Sequence, residues 1–533
     1  MSAVSYTRGS FQRARASGGS ARSWRRRAWT AFVTALLVLS ACSNDDTPAA
    51  GDGDESPTEI VVSMLEDADT LDPTFGQTFG GRYVFANMCE KLYDITVDLE
   101  IIPQLAADLP EVSEDGLTVS IPLRRDVVFN DDEPFDAAAV KTSLDRHREA
   151  AESARAGELA PVTNVETVDD YTVELTLSEP YAPLTAILAD RSGMIMSPAA
   201  LEELGDDFTQ DPVCVGPYTV AERVVGDRIV LEKSDVYYDA DQVNINRVVM
   251  RPIPDATVRV ANLRSGELDI VDRLPTTDYA QLENEDGIVV DSVASLAYDS
   301  IVLNLKAGPF EDASVREAFE LALDPAEINT NVYNGLHTPT CQPFPVTGPY
   351  FLENLACTAR DVNEAQALLQ QAGVDTPVPV DLLLLNDTLS VRRAELIQAQ
   401  AADAGFEVEV RPAEVGTLID DAAAGNFDGV ILTWSGRVDP DGNFATFQHT
   451  DGGQNFGGAS DPDIDAAIEE ARAVTDTEQR AALYADAWQL AMDRHAQVSL
   501  MSPNILVGWR DGVEGFEMLP DGLLRLKGVS LTS

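Results

Sequence analysis

Basic charge is scarce in this 533-residue chain: five lysines and four histidines stand beside 90 Asp and Glu, and the formal net charge is −53. Such an excess repels phosphate backbones and excludes a general nucleic-acid binder. Five cysteines are far too few for a disulfide miniprotein, and they include no C-x-x-C pair. With the four histidines scattered, no zinc pattern emerges and no metal or other cofactor is expected. The G-x-S-x-G elbow, H-E-x-x-H, the phosphate-binding G-x-x-x-x-G-K and a G-x-G-x-x-G after a strand are all missing. No pair of acids stands out as catalytic, so nothing in the residues argues for an enzyme. Long hydrophobic runs are missing too. The apolar run from Ala28 to Leu39 has twelve residues, whereas a helix needs about 20 to cross a bilayer core.

What is present is ordinary for folded protein: 44 % hydrophobic residues and enough length for two to four domains at roughly 150 residues each. The acidic surface serves solvation rather than a particular partner. Positive charge is concentrated at the start, where residues 1–42 hold seven Arg and no acid. Arg22, Arg25, Arg26 and Arg27 precede the apolar run, and Leu39-Ser40-Ala41-Cys42 follows it. A basic segment, a short apolar segment and small residues make a secretory signal. The residues after the Arg run fit a twin-arginine pattern poorly. The L-S-A-C ending resembles the bacterial lipobox, which implies that Cys42 becomes the lipid-modified first residue of the mature protein. Residues 43–57 contain five acids and no base, a composition that does not order itself. They read as a tether that holds the protein at the outer face of the cell membrane without spanning it.

Four cysteines remain, Cys89, Cys214, Cys341 and Cys357, an even number in an oxidising compartment and open to three pairings. Cys341 and Cys357 flank a Pro-rich loop, so their short loop is the expected bridge and leaves Cys89 with Cys214. Leu117–Leu123, Tyr171–Leu177 and Arg228–Glu232 alternate apolar and polar residues and predict strands with one wet face. Between the first two, Asp136–Arg155 is Ala-rich and opens on a good cap, predicting a helix. From 378 to 434 the pattern is strand (VPVDLLLL), helix (Ser390–Ala404, stopped by Gly405), strand (FEVEV), helix (Gly416–Ala424) and strand (DGVILTW). That order implies a parallel sheet with right-handed crossovers. Ligands of such sheets gather at the carboxyl ends of strands, which directs attention to the residues after Trp434. Ser314 with Glu317 and Thr475 with Glu478 read as capping boxes.

A series of motifs then resembles the extracellular solute-binding proteins of ABC importers, in the peptide/nickel group. In chain order they are Thr70-Leu71-Asp72-Pro73, Cys89-Glu90-Lys91-Leu92-Tyr93 (similar to that family's E-x-L-Y helix), Pro103-Gln104-Leu105-Ala106, and Ser113 to Thr118 followed by Leu123-Arg124, Val128-Phe129 and Phe135. Pro212 to Tyr218 (PVCVGPY), Arg264 to Ile270, Asn304 and Val315 to Ala318 complete it. The resemblance covers nearly the whole mature chain. It implies an α/β fold, a two-lobed periplasmic-binding-protein-like clamp with three domains, the first discontinuous: domain I from 58–101, 213–300 and 497–533, domain II from 102–212, domain III from 301–496. It also implies a monomer that closes on a peptide or similarly sized solute and docks on a permease, with no covalent chemistry. Nickel chelates, opines or sugars are alternative ligands for the fold; a sensor or secreted enzyme is the alternative role.

In the peptide binders that this chain resembles, an Asp three residues beyond the strand-ending Trp pairs with the peptide's α-ammonium. Here that place belongs to Arg437, in a segment one residue shorter. An arginine repels an ammonium and suits a carboxylate or phosphate. Trp434, Ser435, Gly436, Arg437, Asp439 and Asn443 are thereby candidate ligand residues, joined by Thr78 and Arg82 from the loop after T-L-D-P; His449 reads as an ordinary loop residue. Replacing Cys42 by Ser is expected to release the protein into the medium, as cell fractionation would show; retention on the membrane would mean that another segment anchors it.

Overall fold

The computed structural model describes residues 58–532; Cys42, the signal segment 1–42 and the acidic stretch 43–57 lie outside the described residues. Three sheets organise the chain. The largest has seven strands in the order Ile288–Ala294, Asn504–Arg510, Ile270–Val271, Glu59–Met64, Arg247–Pro252, Arg228–Lys233 and Tyr218–Val224. A six-stranded sheet runs Thr338–Pro339, Gln497–Ser502, Tyr298–Leu303, Gly429–Trp434, Val378–Leu385 and Phe406–Ala413. A four-stranded antiparallel sheet spans residues 111–177. One hydrophobic core runs continuously through the seven- and four-stranded sheets, while the six-stranded sheet builds a separate core around Ile301, Phe319, Leu382 and Ile397. Further clusters form around Trp488, around Phe447 and around Leu263, and the separation of the two main cores suits a two-lobed molecule.

The alternating segments form strands where their pattern predicts them. Thr118–Pro122 and Thr172–Leu177 bury every second residue and pair antiparallel. Val378–Leu385 pairs parallel with Phe406–Ala413 and with Gly429–Trp434, as the strand–helix alternation implies. Beyond Gly429–Trp434 the same sheet turns antiparallel through Tyr298–Leu303, so the sheet as a whole is mixed. All six residues of Tyr298–Leu303 are buried, which is the condition of a strand covered on both faces. The chain leaves the seven-stranded sheet for the six-stranded one at residues 295–297 and returns at Pro503. The strand 497–502 thus lies with the six-stranded sheet.

Helix starts account for part of the acidic composition. Asp136, Asp255, Asp312, Asp324, Asp361, Asp387, Asp461 and Asp476 each cap a helix by accepting a main-chain N–H in the first turn. There a carboxylate satisfies an orphan donor and meets the positive end of the helix dipole. This corrects the two expected capping boxes. Asp312 takes the Ser314 N–H at 2.8 Å and Asp476 takes the Gln479 N–H at 2.9 Å, so Ser314 and Thr475 are not the caps. The helix expected over 136–155 ends at Glu149. Cys89-Glu90-Lys91-Leu92-Tyr93 is not helical either. The helix Phe79–Met88 stops before it, because Cys89 is bound to Cys214 and Glu90 turns inward to accept the hydroxyls of Tyr237 and Tyr238. Among the described residues no helix is long and apolar enough to cross a membrane.

Both disulfides join the cysteines named from spacing: Cys89–Cys214, 125 residues apart with Cα atoms at 5.0 Å, and Cys341–Cys357, 16 apart at 5.5 Å. Closing loops of these lengths stabilises by about 4–5 and about 3 kcal/mol respectively, on the chain-entropy account. Non-reducing peptide mapping should recover these two links and no others, and Cys89→Ser should lower the unfolding free energy by about 2–5 kcal/mol. A Cys89–Cys341 link would overturn the arrangement.

Candidate functional site

The strand Gly429–Trp434 delivers its carboxyl end into a cavity of about 910 Å³, within the size of sites that enclose small ligands. The loop that follows is fixed by one buried side chain. Asn443, fully buried, accepts the Trp434 indole N–H at 3.1 Å and the Arg437 main-chain N–H at 2.7 Å, and donates to the Arg437 carbonyl at 2.8 Å. Tyr298 in turn donates its hydroxyl to the Asn443 carbonyl at 3.0 Å. Gly436 has φ +77°, and a Cβ there would stand 2.0 Å from the Leu296 carbonyl oxygen. Only glycine lets the loop pass so close to the crossover at 295–297. Gly442 makes room in another way, since a Cβ at that position would meet the Arg437 side chain at 2.6 Å.

So held, Arg437 is half-buried and lies over the Trp434 ring, its guanidinium carbon 4.8 Å from the centroid. Its Nη1 donates to the Gly436 carbonyl at 2.7 Å and to the Ser435 hydroxyl at 3.2 Å. No carboxylate among the described residues pairs with it. Burial lowers its pKa, Arg82 and Arg155 lower it further, and Asp190 and Glu158 oppose them. Trp434 is braced edge-on by Phe447 at 5.4 Å.

The opposite side of the cavity comes from the helix Phe79–Met88 and the segment around residue 190. Arg82 donates through Nη2 to Asp190 at 3.2 Å. Burial alone would raise the Asp190 pKa, yet Arg82, Arg191, Arg437 and Arg155 together hold it well below the usual carboxylate range. A main-chain bond from the Ala182 N–H to the Arg472 carbonyl at 2.8 Å joins the two sides across the cleft. Beyond Tyr181 and Val438 the cleft continues into a second cavity of about 730 Å³, with Leu99, Leu109, Val112 and Tyr350 in its wall.

The residues named from sequence therefore separate. Trp434, Gly436, Arg437, Asp439 and Arg82 line the larger cavity; Ser435, Asn443 and Thr78 do not. Asn443 and Ser435 act through Arg437, which they position. Thr78 caps the helix that carries Arg82, accepting the Gly81 N–H at 3.2 Å and donating to Asp69 at 2.8 Å. Asp439 is no free acid. Arg480 grips it at 2.7 and 2.9 Å, and its Oδ1 accepts the Asp441 N–H at 3.0 Å. Asp441 is likewise taken by Arg472 at 2.6 Å. Asp439 thus lines the cavity with its charge already paired by Arg480. Sequence reasoning missed Asp190, Glu158 and Arg472, for which no local pattern exists. Among the described residues no cluster of His, Cys, Asp and Glu is arranged to hold a metal.

Residues 100–455 match the family described as bacterial extracellular solute-binding proteins, family 5 middle. This chain belongs to that family. It is 26 % identical over 486 residues to the glutathione-binding protein GsiB of Pectobacterium atrosepticum, covering 89 % of this chain and 94 % of that one. It is 28 % identical over 483 residues to protein XP55 of Streptomyces lividans, covering 87 % of each. Its fold matches the periplasmic binding protein DppA of Helicobacter pylori in complex with peptide STSA, with a TM-score of 0.79 and 25 % identity, covering 89 % of this chain and 98 % of that one. The α/β architecture is thus that of the two-lobed periplasmic binding proteins, as the motif series implies. Breaking a buried ion pair by removing one partner costs about 3–5 kcal/mol. Asp439→Ala should destabilise the protein by that order in denaturant titration; a change below about 1 kcal/mol would mean that Arg480 and Asp439 are screened by solvent.

Proposed function

We propose that this family 5 protein is the lipid-anchored capture component of an ABC importer, closing its two lobes on a peptide or peptide-sized solute that bears an acidic group. Cys42 anchors it to the outer face of the cell membrane, and the loaded form is presented to permease subunits. No reaction is catalysed. The three-domain division, with domain I assembled from three separate pieces, belongs to the same reading.

The observation that carries the ligand chemistry is the Arg437 guanidinium, held inside the cleft with no carboxylate partner among the described residues. A cation desolvated in this way gains most from an anion. The Trp434 ring lies under the guanidinium carbon at 4.8 Å, and the N–H groups not spent on Gly436 and Ser435 are left for a carboxylate. The size of the cleft and the family both suit a short peptide. Glutathione, the ligand printed in the name of one relative, has the required acidic groups and is the first solute to test.

Titration calorimetry with reduced glutathione, or with whichever solute the cells supply, decides the role of Arg437. Removing one partner of a desolvated charge pair costs about 2–5 kcal/mol, so Arg437→Ala should weaken binding by about thirtyfold or more. A loss below about fivefold, equal at low and high salt, would place the guanidinium outside the contact and return ordinary amine-terminated peptides to first place.

A further inference from the structure

Across the cavity from Arg437 stands a second guanidinium with incomplete bonding. The Arg82 side chain is 8 % exposed. It spends one Nη2 N–H on Asp190, and its enclosed Nε–H meets no acceptor. Behind it the enclosed Nε–H of Arg155 also meets no acceptor, and that of Arg191 stands 3.6 Å from Asp190, an ion pair beyond hydrogen-bond reach. Arg155 is tied to Glu158 at 2.8 Å, and Arg191 to the Gly76 carbonyl at 3.0 Å. Four guanidiniums thus gather around two carboxylates: Arg82 and Arg191 pair with Asp190, Arg155 pairs with Glu158, and Arg437 lines the same cavity as both acids. The local balance is positive in a chain whose net charge is −53. The other acids of the cavity do not correct it. Asp441 belongs to Arg472 and Asp521 to Arg525, Glu469 lies by His449, and Glu179 and Asp451 are exposed.

Like charges buried together repel strongly, and the repulsion is relieved by an anion that touches both. We propose that Arg82 and Arg437 grip one carboxylate group of the solute together, one arginine from each wall of the cleft. The shared anion then acts as the latch between the walls: the solute's acidic group offsets the repulsion that closure creates. Asp190 is the built-in competitor, since it already draws on Arg82 and feels the charge of Arg437. This deepens the reading of Arg437 as an anion contact and rests on it, but it does not depend on which solute is transported.

Malonate serves as the probe, a small dicarboxylate that tests the two-armed site alone. Calorimetric scans of the purified protein should show its thermal midpoint rising saturably with malonate, and not with sodium chloride at equal ionic strength. Arg82→Gln and Arg437→Gln should each weaken the half-saturating malonate concentration about tenfold or more. The double variant should lose less than the product of the two single losses, because the two arms share one group. Asp190→Asn, which removes the competitor, should tighten malonate severalfold and keeps the test decisive if Arg82→Gln fails to fold. Absence of a malonate-specific shift in the wild type overturns the latch. So does an unchanged response in Arg82→Gln, which would leave Arg437 acting alone, and so does weakened binding in Asp190→Asn. An import assay on cells lacking the gene tests the transport reading separately.

Discussion

An arginine held in a cleft without a carboxylate is the constraint around which this site is built. Desolvating a cation is unfavourable unless something compensates, and the loop after Trp434 supplies compensation that stops short of neutralising the charge. The Trp434 face, the Gly436 carbonyl and the Ser435 hydroxyl meet Arg437, but none carries a full negative charge. The loop is fixed by Asn443 from behind and by the close passage of Gly436 past Leu296. Its two acids, Asp439 and Asp441, face Arg480 and Arg472 instead. The guanidinium is thus presented rather than consumed, which is what the proposed acidic solute requires.

A cationic pocket inside a protein of net charge −53 poses an electrostatic question of its own. At physiological ionic strength the surface field decays within about 8 Å, so a small anion is not excluded from the mouth of the cleft. Inside, the effective dielectric is lower and the nearest charges dominate. Part of the acidic surplus is also spent locally, as caps such as Asp136, Asp387 and Asp476 that stabilise helix starts. The acidity of the whole and the basicity of the site therefore operate over different distances.

Sequence periodicity exposed the elements whose form is set by near neighbours. The alternation from 378 to 434 is legible because each strand and helix there obeys its own period, and Gly405 stops its helix at φ +100° as a glycine should. Cys89 to Tyr93 escaped such reading: a disulfide to Cys214 and two tyrosine hydroxyls on Glu90 override whatever the local pattern suggests. The candidate site was legible only as a place. Arg437 could be named from its position after Trp434, but the fate of Asp439 depends on Arg480, 41 residues away, and that of Arg82 on Asp190, 108 residues away. Charge pairs between distant elements leave no trace in spacing, and they decide which acids and bases stay available.

The central claim is that the cleft selects a solute by its negative charge. Native mass spectrometry of the protein purified without denaturation, followed by identification of the released solute, tests it most directly. The account predicts one solute of peptide size per chain, carrying at least one free carboxylate. A bound solute that is neutral or cationic, with no acidic group, would contradict it.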